Sequence, residues 1–374
     1  MLQAWVLVEH NGPLQFIEQP MPSPKGEEVL VRTTAAGVCH SDLHQWEGTV
    51  DFGNGVKFPM NQASKDNPVC MGHEICGELV AVGPDVPGQF RPDSASRYAV
   101  YPWIGCMEPK KCVNCRGGTE NLCPYTDKTK DIGNAKDIRG GYASHVLVPS
   151  YKYLFKVPDR LTEESAAVAM CSGLTAYSSV KKVGTPPKGP EDVLILGLGG
   201  LGFSGFEAAK CVFGGAPLCA DISPEAREAA AKEGAAVFDP RDKDAQKKIF
   251  SRAGQLHAII DFVGSEQSFA FASPLLRRGG RYIIVGLYGG QLQIPMPMFP
   301  FKAISIVGSM TGSQTECEEL FELLAAGKIS PIKYHTRSIM EVNSALEDLK
   351  HKRFVGRCVL KHNWPAADAP HAKL

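Results

Sequence analysis

Apolar residues are spaced differently in the two halves of this chain. Up to about residue 150 they fall in short runs, Val29–Val31, Ile75–Val82 and Tyr98–Tyr101, set among Gly- and Pro-rich stretches with little helical periodicity. That texture predicts an antiparallel, loop-rich β unit. From about residue 160 longer periodic segments take over. Helices are expected at Glu163–Lys181, Gly202–Phe213, Pro224–Lys232 and Ser265–Leu276, and strands at Asp192–Leu196, Pro217–Asp221, His257–Asp261 and Arg281–Gly286. Strands alternating with helices imply βαβ units and a parallel sheet. The end of the chain reads as strand Ile304–Gly308, helices Glu316–Ala326 and Met340–Lys350, and strand Arg357–Leu360. The residues from His362 onward read as a loose tail. No fixed-period repeat or low-complexity tract interrupts the pattern.

A length of 374 residues fits two domains, with 44% hydrophobic and 21% charged residues. Forty basic residues balance forty acidic ones, which argues against nucleic acid or acidic lipid recognised by bulk charge. The start, MLQAWVLVEHNG, lacks the features of a secretory signal. The most apolar stretch, Val193–Phe206, has fourteen residues of which five are glycine, too short for a bilayer. A cytoplasmic protein is therefore expected.

Twelve cysteines then call for thiol or metal roles rather than disulfides. Cys211, Cys219, Cys317 and Cys358 are isolated among apolar neighbours and read as buried small hydrophobes. Cys106, Cys112, Cys115 and Cys123 crowd into eighteen residues, a set that can close a tetrahedral zinc shell and fold its own loop. Disulfides are the competing reading of the same four.

The sharpest local signal is VLILGLGGLG, a buried strand running into Gly197-x-Gly199-x-x-Gly202 and then a helix. The first glycine permits the tight turn, the second lets a pyrophosphate approach the backbone, and the third lets helix and strand pack closely. The helix start favours the phosphates. Asp221 follows Gly202 by nineteen residues, at the end of the next strand. A carboxylate there accepts ribose hydroxyls and repels a 2′-phosphate, favouring NAD over NADP, and Ile222 and Ser223 put no arginine beside it. A third signal is distributed: GVCHSDLH supplies Cys39, His40, Ser41, Asp42 and His44, MGHE supplies His73 and Glu74, and AMCSGLTAY supplies Cys171. Two cysteines, a histidine and water form a known open catalytic zinc shell, but spacing alone does not join residues spread over 130 positions.

Together these segments resemble the zinc-dependent medium-chain alcohol dehydrogenases, from about Trp5 to Leu360. GVCHSDLH, GHE, CxxC-x7-C, GLGGLG, DFVG at Asp261–Gly264 and GRCVL at Gly356–Leu360 carry the likeness. The resemblance implies a doubly wound Rossmann domain at 172–306 inserted into a GroES-like, β-rich catalytic domain at 1–171 and 307–374, with a zinc lobe at 106–123. By position it implies Cys39, His73 and Cys171 as ligands of a catalytic zinc, and Glu74 as an acid able to approach the metal. Asp42 would hydrogen-bond His73. Ser41 would take the alcohol proton, and His44 would pass it on. Gly197, Gly199, Gly200, Leu201, Gly202, Asp221 and Val263 would bind NAD, with His40 and Arg357 at its pyrophosphate. Two zinc ions per subunit follow, the second held by Cys106, Cys112, Cys115 and Cys123. So does assembly as a homodimer or homotetramer.

The implied activity is hydride transfer between NAD and a primary or aromatic alcohol or its aldehyde. Cysteine at 171, where polyol and secondary-alcohol relatives often carry an acid, points to the primary-alcohol branch, with a polyol or cyclic secondary-alcohol dehydrogenase as the alternative. A non-catalytic dinucleotide-binding protein on this fold should have lost the ligands or the proton relay; this sequence keeps both. Two departures stand out. Relatives space the lobe cysteines C-x2-C-x2-C-x7-C, whereas five residues separate Cys106 from Cys112. The stretch Val50–Pro68 is also long, polar and glycine-rich, either a lid on the substrate pocket or a surface insertion.

Overall fold

The computed structural model describes every residue except 93–95, 107, 109, 128–130, 136–137, 354–355 and 365–374, and the side chains of 134 and 135. The chain folds as two compact units. One comprises residues 1–50, 59–171 and 331–374, the other residues 51–58 and 172–330.

The first unit is built on two sheets. Leu2–Leu7, buried at all six positions, lies between Gln15–Gln19 and Val69–Met71 in an antiparallel sheet that ends in Asn134–Ala135. The larger sheet runs Leu154–Lys156, Arg97–Val100, Glu74–Val82, Val29–Val38, Arg357–Lys361, Tyr334–Ser338, with His145–Val148 also paired to Val29–Val38. Its ladders are antiparallel except the last, where Tyr334–Ser338 runs parallel to Arg357–Lys361. Val6, Leu7, Val69, Tyr142, Leu346 and Leu360 share one core with the helix Val342–Lys350. Burying a large apolar side chain contributes roughly 1.5–3 kcal/mol, so this core is what holds the site-bearing loops in register. The expected loose tail is tied down at its start: Trp364 packs on the same core and donates to His362. Residues 365–374 lie outside the described residues.

The second unit is a six-stranded parallel sheet in the order Val237–Phe238, Leu218–Ala220, Val193–Leu196, Leu256–Asp261, Leu276–Ile284, Ser305–Gly308. Val193–Leu196 is 0–3% exposed, the mark of a strand covered on both faces. The chain winds outward in both directions from this strand, so the switch point lies at its C-terminal end, where doubly wound sheets bind nucleotides. The sequence missed the short strand Val237–Phe238 and the helix Ala245–Ala253. It also closed the inserted unit at 306, but the sheet continues through Gly308 and the chain stays with this unit to Ser330. The helix Gln314–Ala325 explains the difference, since its Glu319 accepts from Tyr177 Oη at 3.0 Å within the same unit.

The expected helix Glu163–Lys181 is not continuous. Thr162 caps it by accepting from Ser165 N, and two acidic residues favour its first turn. It then passes through a single π turn, Ala169–Gly173, before resuming at Leu174–Lys181. Cys171 sits in that turn, a device that often re-aims a functional side chain. The stretch after Val50 forms a small hairpin, Thr49–Asp51 with Lys57–Pro59, whose Phe52 and Phe58 rings stack at 5.4 Å. Its tip lies on Gly290, where a Cβ on Gly53 would come within 2.7 Å.

Candidate metal and dinucleotide sites

The larger sheet sets Gly37 opposite Glu74 and delivers Cys39 and His73 to the same end. Cys39 caps the helix His40–Glu47; its backbone N–H donates to Asp42 Oδ2 at 2.8 Å, closing a capping box. The π turn brings in Cys171. His73 Nε2 is 3.3 Å from Cys171 Sγ, and the Cys39 and Cys171 sulfurs are 4.0 Å apart. One ligand atom from each of Cys39, His73, Glu74 and Cys171 lies within 4.8 Å of the others, all four residues buried. Tetrahedral zinc, with Zn–S about 2.3 Å and Zn–N about 2.0–2.1 Å, requires ligand separations of about 3.5–3.8 Å. The residues fit such an ion.

Without a metal the group divides its charge unevenly. The hydrogen bond with Cys171, outweighing burial, and the nearby Arg357 hold the Cys39 thiol well below its usual range. The same bond and burial push Cys171 up. Burial lifts Glu74 to about 7, opposed by its ion pair with Arg357 Nη2. Glu74 Oε2 is buried with no protein partner, and a Cβ on Gly37 would stand 1.9 Å from it. Glycine at 37 therefore leaves the room in which this free oxygen stands beside the ligand atoms.

Asp42 behaves differently from expectation. Its carboxylate accepts from Cys39 N, from Gly72 N at 3.1 Å and from Tyr142 Oη at 3.1 Å, while His73 Nδ1 is 3.8 Å away. That is a charge contact, not a full hydrogen bond. Asp42 therefore ties the backbone at Cys39 to the backbone just before His73, and orients the ring indirectly. Ser41 and His44 lie three residues apart on one helix face, and Ser41 Oγ is 3.7 Å from Cys39 Sγ. Both are partly exposed, and His40 beside them is exposed. Trp103, which no motif singled out, stands with its ring 5.6 Å from that of His73 and its Nε1 buried without a protein partner.

In the lobe, Cys106 and Cys115 sulfurs are 3.6 Å apart, as are those of Cys112 and Cys123. All four ligand atoms lie within 4.8 Å of one another. These edges match a zinc tetrahedron and are far from the ~2.05 Å of a disulfide; all twelve cysteines are unbridged. The five-residue gap is absorbed in part by a turn in which Glu108 O accepts from Lys111 N and Cys112 N. The extra length leaves Cys106 beside its partners. Of the four scattered cysteines, Cys219, Cys317 and Cys358 are fully buried, but Cys211 is only half-buried on the helix Gly200–Phe213.

The dinucleotide motif sits at the switch point. Gly197 has φ +82°, and a Cβ there would meet the Val263 side chain at 2.7 Å. A Cβ on Gly202 would lie 1.8 Å from Gly197 O, whereas at Gly199 nothing stands within 4 Å. The turn thus closes tightly at its ends and stays open in the middle, where a pyrophosphate needs room beside Gly200 and Leu201. Asp221 lies just after its strand; its Oδ2 accepts from Leu198 N at 2.5 Å and its Oδ1 from Ser223 N at 2.7 Å. Asp261, fully buried, holds the loop bearing Val263 by accepting from Val263 N and Gly264 N at 2.9 Å each. One expectation fails here. Arginines do stand beside Asp221, Arg227 and Arg241, brought from six and twenty positions further along.

Comparison with known proteins decides the family. The alcohol dehydrogenase GroES-like domain matches residues 25–159, and the zinc-binding dehydrogenase domain matches residues 200–326. The chain belongs to the zinc-dependent medium-chain alcohol dehydrogenases. It is 36% identical over 370 residues to an NAD-dependent alcohol dehydrogenase of Sulfurisphaera tokodaii, covering 96% of this chain and 99% of that one. Among solved structures it is similar to acetophenone reductase from Geotrichum candidum in complex with NAD, at 28% identity and TM-score 0.80 over 96% and 97% of the two chains. It is similar also to the alcohol dehydrogenase of Aeropyrum pernix, at 29% identity and TM-score 0.78 over 96% and 100%. The protein is an NAD-dependent oxidoreductase acting on alcohols, and zinc and NAD are its cofactors. No helix among the described residues is long and apolar enough to cross a membrane.

Proposed function

We propose that this dehydrogenase oxidises primary or aromatic alcohols, and reduces their aldehydes, at the buried cluster of Cys39, His73 and Cys171. The observation that carries the reading is the gathering of those ligand atoms, with Glu74 as a fourth group, from three distant segments. A zinc ion held there supplies a Lewis acid that acidifies an alcohol or polarises a carbonyl, and bound NAD takes or returns the hydride. The protein's own part is positional. Cys39, His73 and Cys171 leave one tetrahedral position open. Asp42 and Tyr142 hold the backbone that presents Cys39 and His73. Ser41 accepts the substrate's hydroxyl proton, and His44, one turn on, hands it to solvent. Glu74, with its buried unpartnered Oε2, would be the acid able to approach a bound metal. Trp103 supplies an aromatic wall beside His73, which favours an aromatic or unbranched substrate.

The similar acetophenone reductase, named for an aromatic ketone, is consistent with that wall. D-arabinose dehydrogenase from Sulfolobus solfataricus, 25% identical with TM-score 0.76 over 96% and 99% of the chains, represents the polyol alternative. A panel of primary, aromatic, cyclic secondary and sugar alcohols, followed by NADH absorbance, separates them. Fastest turnover on a sugar would overturn the reading.

In the dinucleotide site, Gly197, Gly199, Gly200, Leu201 and Gly202 cradle the pyrophosphate, Val263 shapes the turn, and Asp221 takes the adenosine ribose. Asp221→Gly is expected to weaken NAD binding by roughly 10–100-fold, the loss of a charge-assisted hydrogen bond of ~1.5–3 kcal/mol, and to relieve repulsion of NADP. Unaltered NAD and NADP titrations would remove Asp221 from the ribose.

The lobe is assigned a second, structural zinc. Cys112→Ala should lower the melting temperature and expose the lobe to protease before it alters turnover, because a closed four-thiolate site contributes folding energy and no chemistry. Cys106→Ala should behave alike, given the 3.6 Å approach of Cys106 to Cys115. A metal content of one zinc per subunit, with four lobe thiols titrating freely in native protein, would refute the assignment.

Leu287, Tyr288, Met296 and Phe301, 67–77% exposed on the second unit, favour a homodimer or homotetramer, which sedimentation tests. Twelve unbridged cysteines favour the cytoplasm.

A further inference from the structure

The edge of the parallel sheet that carries Asp221 also carries two guanidinium groups. Arg227, on the helix Pro224–Lys232, donates through Nη1 to Asp221 O at 2.6 Å. Arg241 donates through Nη2 to Ile222 O at 2.7 Å. Both converge on one carboxylate. Asp239 Oδ2 lies 3.1 Å from Arg227 Nη1 and 2.7 Å from Arg241 Nη2, and Asp239 Oδ1 accepts from Arg241 Nε at 3.0 Å. The Arg241–Asp239 contact is a two-pronged fork, the geometry with which arginine also takes a phosphate. Arg241 is 63% exposed at its side chain and Asp239 25%.

Acidic groups offset both arginines at this corner. Arg227 and Arg241 are offset by Asp221 and Asp239, Glu225 lies near Arg227 with Ser223 Oγ donating to it, and Asp242 is paired with Lys248. Each arginine is already anchored on a backbone carbonyl of Asp221 or Ile222, next to where the ribose hydroxyls would be taken. The fold therefore places two oriented cations beside Asp221 and pairs both with Asp239.

We propose that this corner is a masked 2′-phosphoadenosine site, in which Asp239 neutralises Arg227 and Arg241 and so shares with Asp221 the selection of NAD over NADP. The proposal rests on the reading that Asp221 faces the adenosine ribose. Asp221 repels the additional phosphate directly. Asp239 withholds the cations that would otherwise bind it.

The test is calorimetric titration of the full chain with ADP-ribose and with its 2′-phosphate, scoring the ratio of the two dissociation constants so that only the added phosphate is read. Asp239→Asn keeps an acceptor for the Arg241 backbone N–H, which now bonds to Asp239 Oδ1, and removes the charge. It should shift the ratio toward the 2′-phosphate by about tenfold, the scale of one charge-assisted hydrogen bond. The shift should shrink as salt is raised, since Arg241 is solvent-facing. Asp221→Gly should also move the ratio, and adding Arg241→Gln should take back about tenfold of that gain. A ratio within twofold of wild type for Asp239→Asn, with its melting temperature retained, would overturn the proposal, as would a gain in Asp221→Gly that survives Arg241→Gln. If Asp221→Gly alters neither dissociation constant, the ribose reading itself falls, and the proposal with it. A shift in Asp221→Gly without one in Asp239→Asn sinks the proposal alone.

Discussion

Replacing Cys171 with alanine is expected to abolish measurable alcohol oxidation, a loss on the order of 10³-fold or more, while leaving most of the fold intact. The magnitude follows from the several kcal/mol that a Lewis acid contributes at the reacting oxygen, at 1.36 kcal/mol per tenfold in rate. The loss should be chemical and not structural. Cys171 lies in a π turn between two helices whose other residues, Val168, Ala169, Met170 and Leu174, are buried apolar groups that alanine at 171 does not disturb. Its thiol touches Cys39 Sγ at 4.0 Å and His73 Nε2 at 3.3 Å. Losing it removes one of three ligands from a site that has one position open already. Metal analysis should show the lobe zinc retained and the other lost or weakly held, with circular dichroism near that of wild type. Full activity in Cys171→Ala would remove this residue from the metal set. Loss of both zinc ions would mean that the two clusters are not independent.

How much of this was legible in the sequence depends on range. The strand–turn–helix around Gly197, Gly199 and Gly202 is local: Gly197 and Gly202 are required by close contacts at the turn and Gly199 by the open space left there, and the motif can be read without the fold. The lobe is local too, although the gap after Cys106 obscured it until the sulfur positions showed four thiols together. The ligand cluster is a different case. Cys39, His73 and Cys171 are joined by strand pairing between Val29–Val38 and Glu74–Val82 and by a π turn that no periodicity reveals, so only the family likeness linked them.

Charge pairing across the fold was the least visible. The neighbours of Asp221 in sequence, Ile222 and Ser223, suggested an acid without cations, yet strand Val237–Phe238 returns the chain alongside and places Asp239 and Arg241 there. That two-residue strand carries too little pattern to be recognised, and Arg241 was missed with it; Arg227 lies on the expected helix Pro224–Lys232, but sequence adjacency does not show that it turns back to the Asp221 carbonyl. Gly37 shows the same limit. In sequence it is one small residue in an apolar strand. In the sheet it is the vacant place against which Glu74 keeps an unpartnered oxygen.

Ser41→Ala is expected to bind zinc and NAD as wild type does and to turn over roughly 10²–10⁴-fold more slowly near neutral pH, the usual contribution of a positioned acid–base group. The argument starts from the helix His40–Glu47. Its cap fixes Cys39, and Ser41 is two residues on, with its hydroxyl 3.7 Å from the Cys39 sulfur. A substrate oxygen bound beside Cys39 would therefore be within reach of that hydroxyl. Alanine keeps the helix, being a better helix former than serine, and leaves Asp42 and Tyr142 to hold Cys39 in place. The variant thus removes a proton acceptor and little else. Ser41→Thr restores the hydroxyl and should restore turnover, which a merely structural role for Ser41 would not require. The defect in Ser41→Ala should also lessen as pH rises, because hydroxide from solvent can then take the proton that Ser41 no longer accepts. His44→Ala should show a smaller loss of the same kind, since it acts one step further from the substrate. Measured as kcat against pH with metal content determined for each variant, a rate for Ser41→Ala equal to wild type at pH 7 would eliminate Ser41 from the proton path. A slow rate that neither threonine nor high pH relieves would assign it to shaping the helix instead.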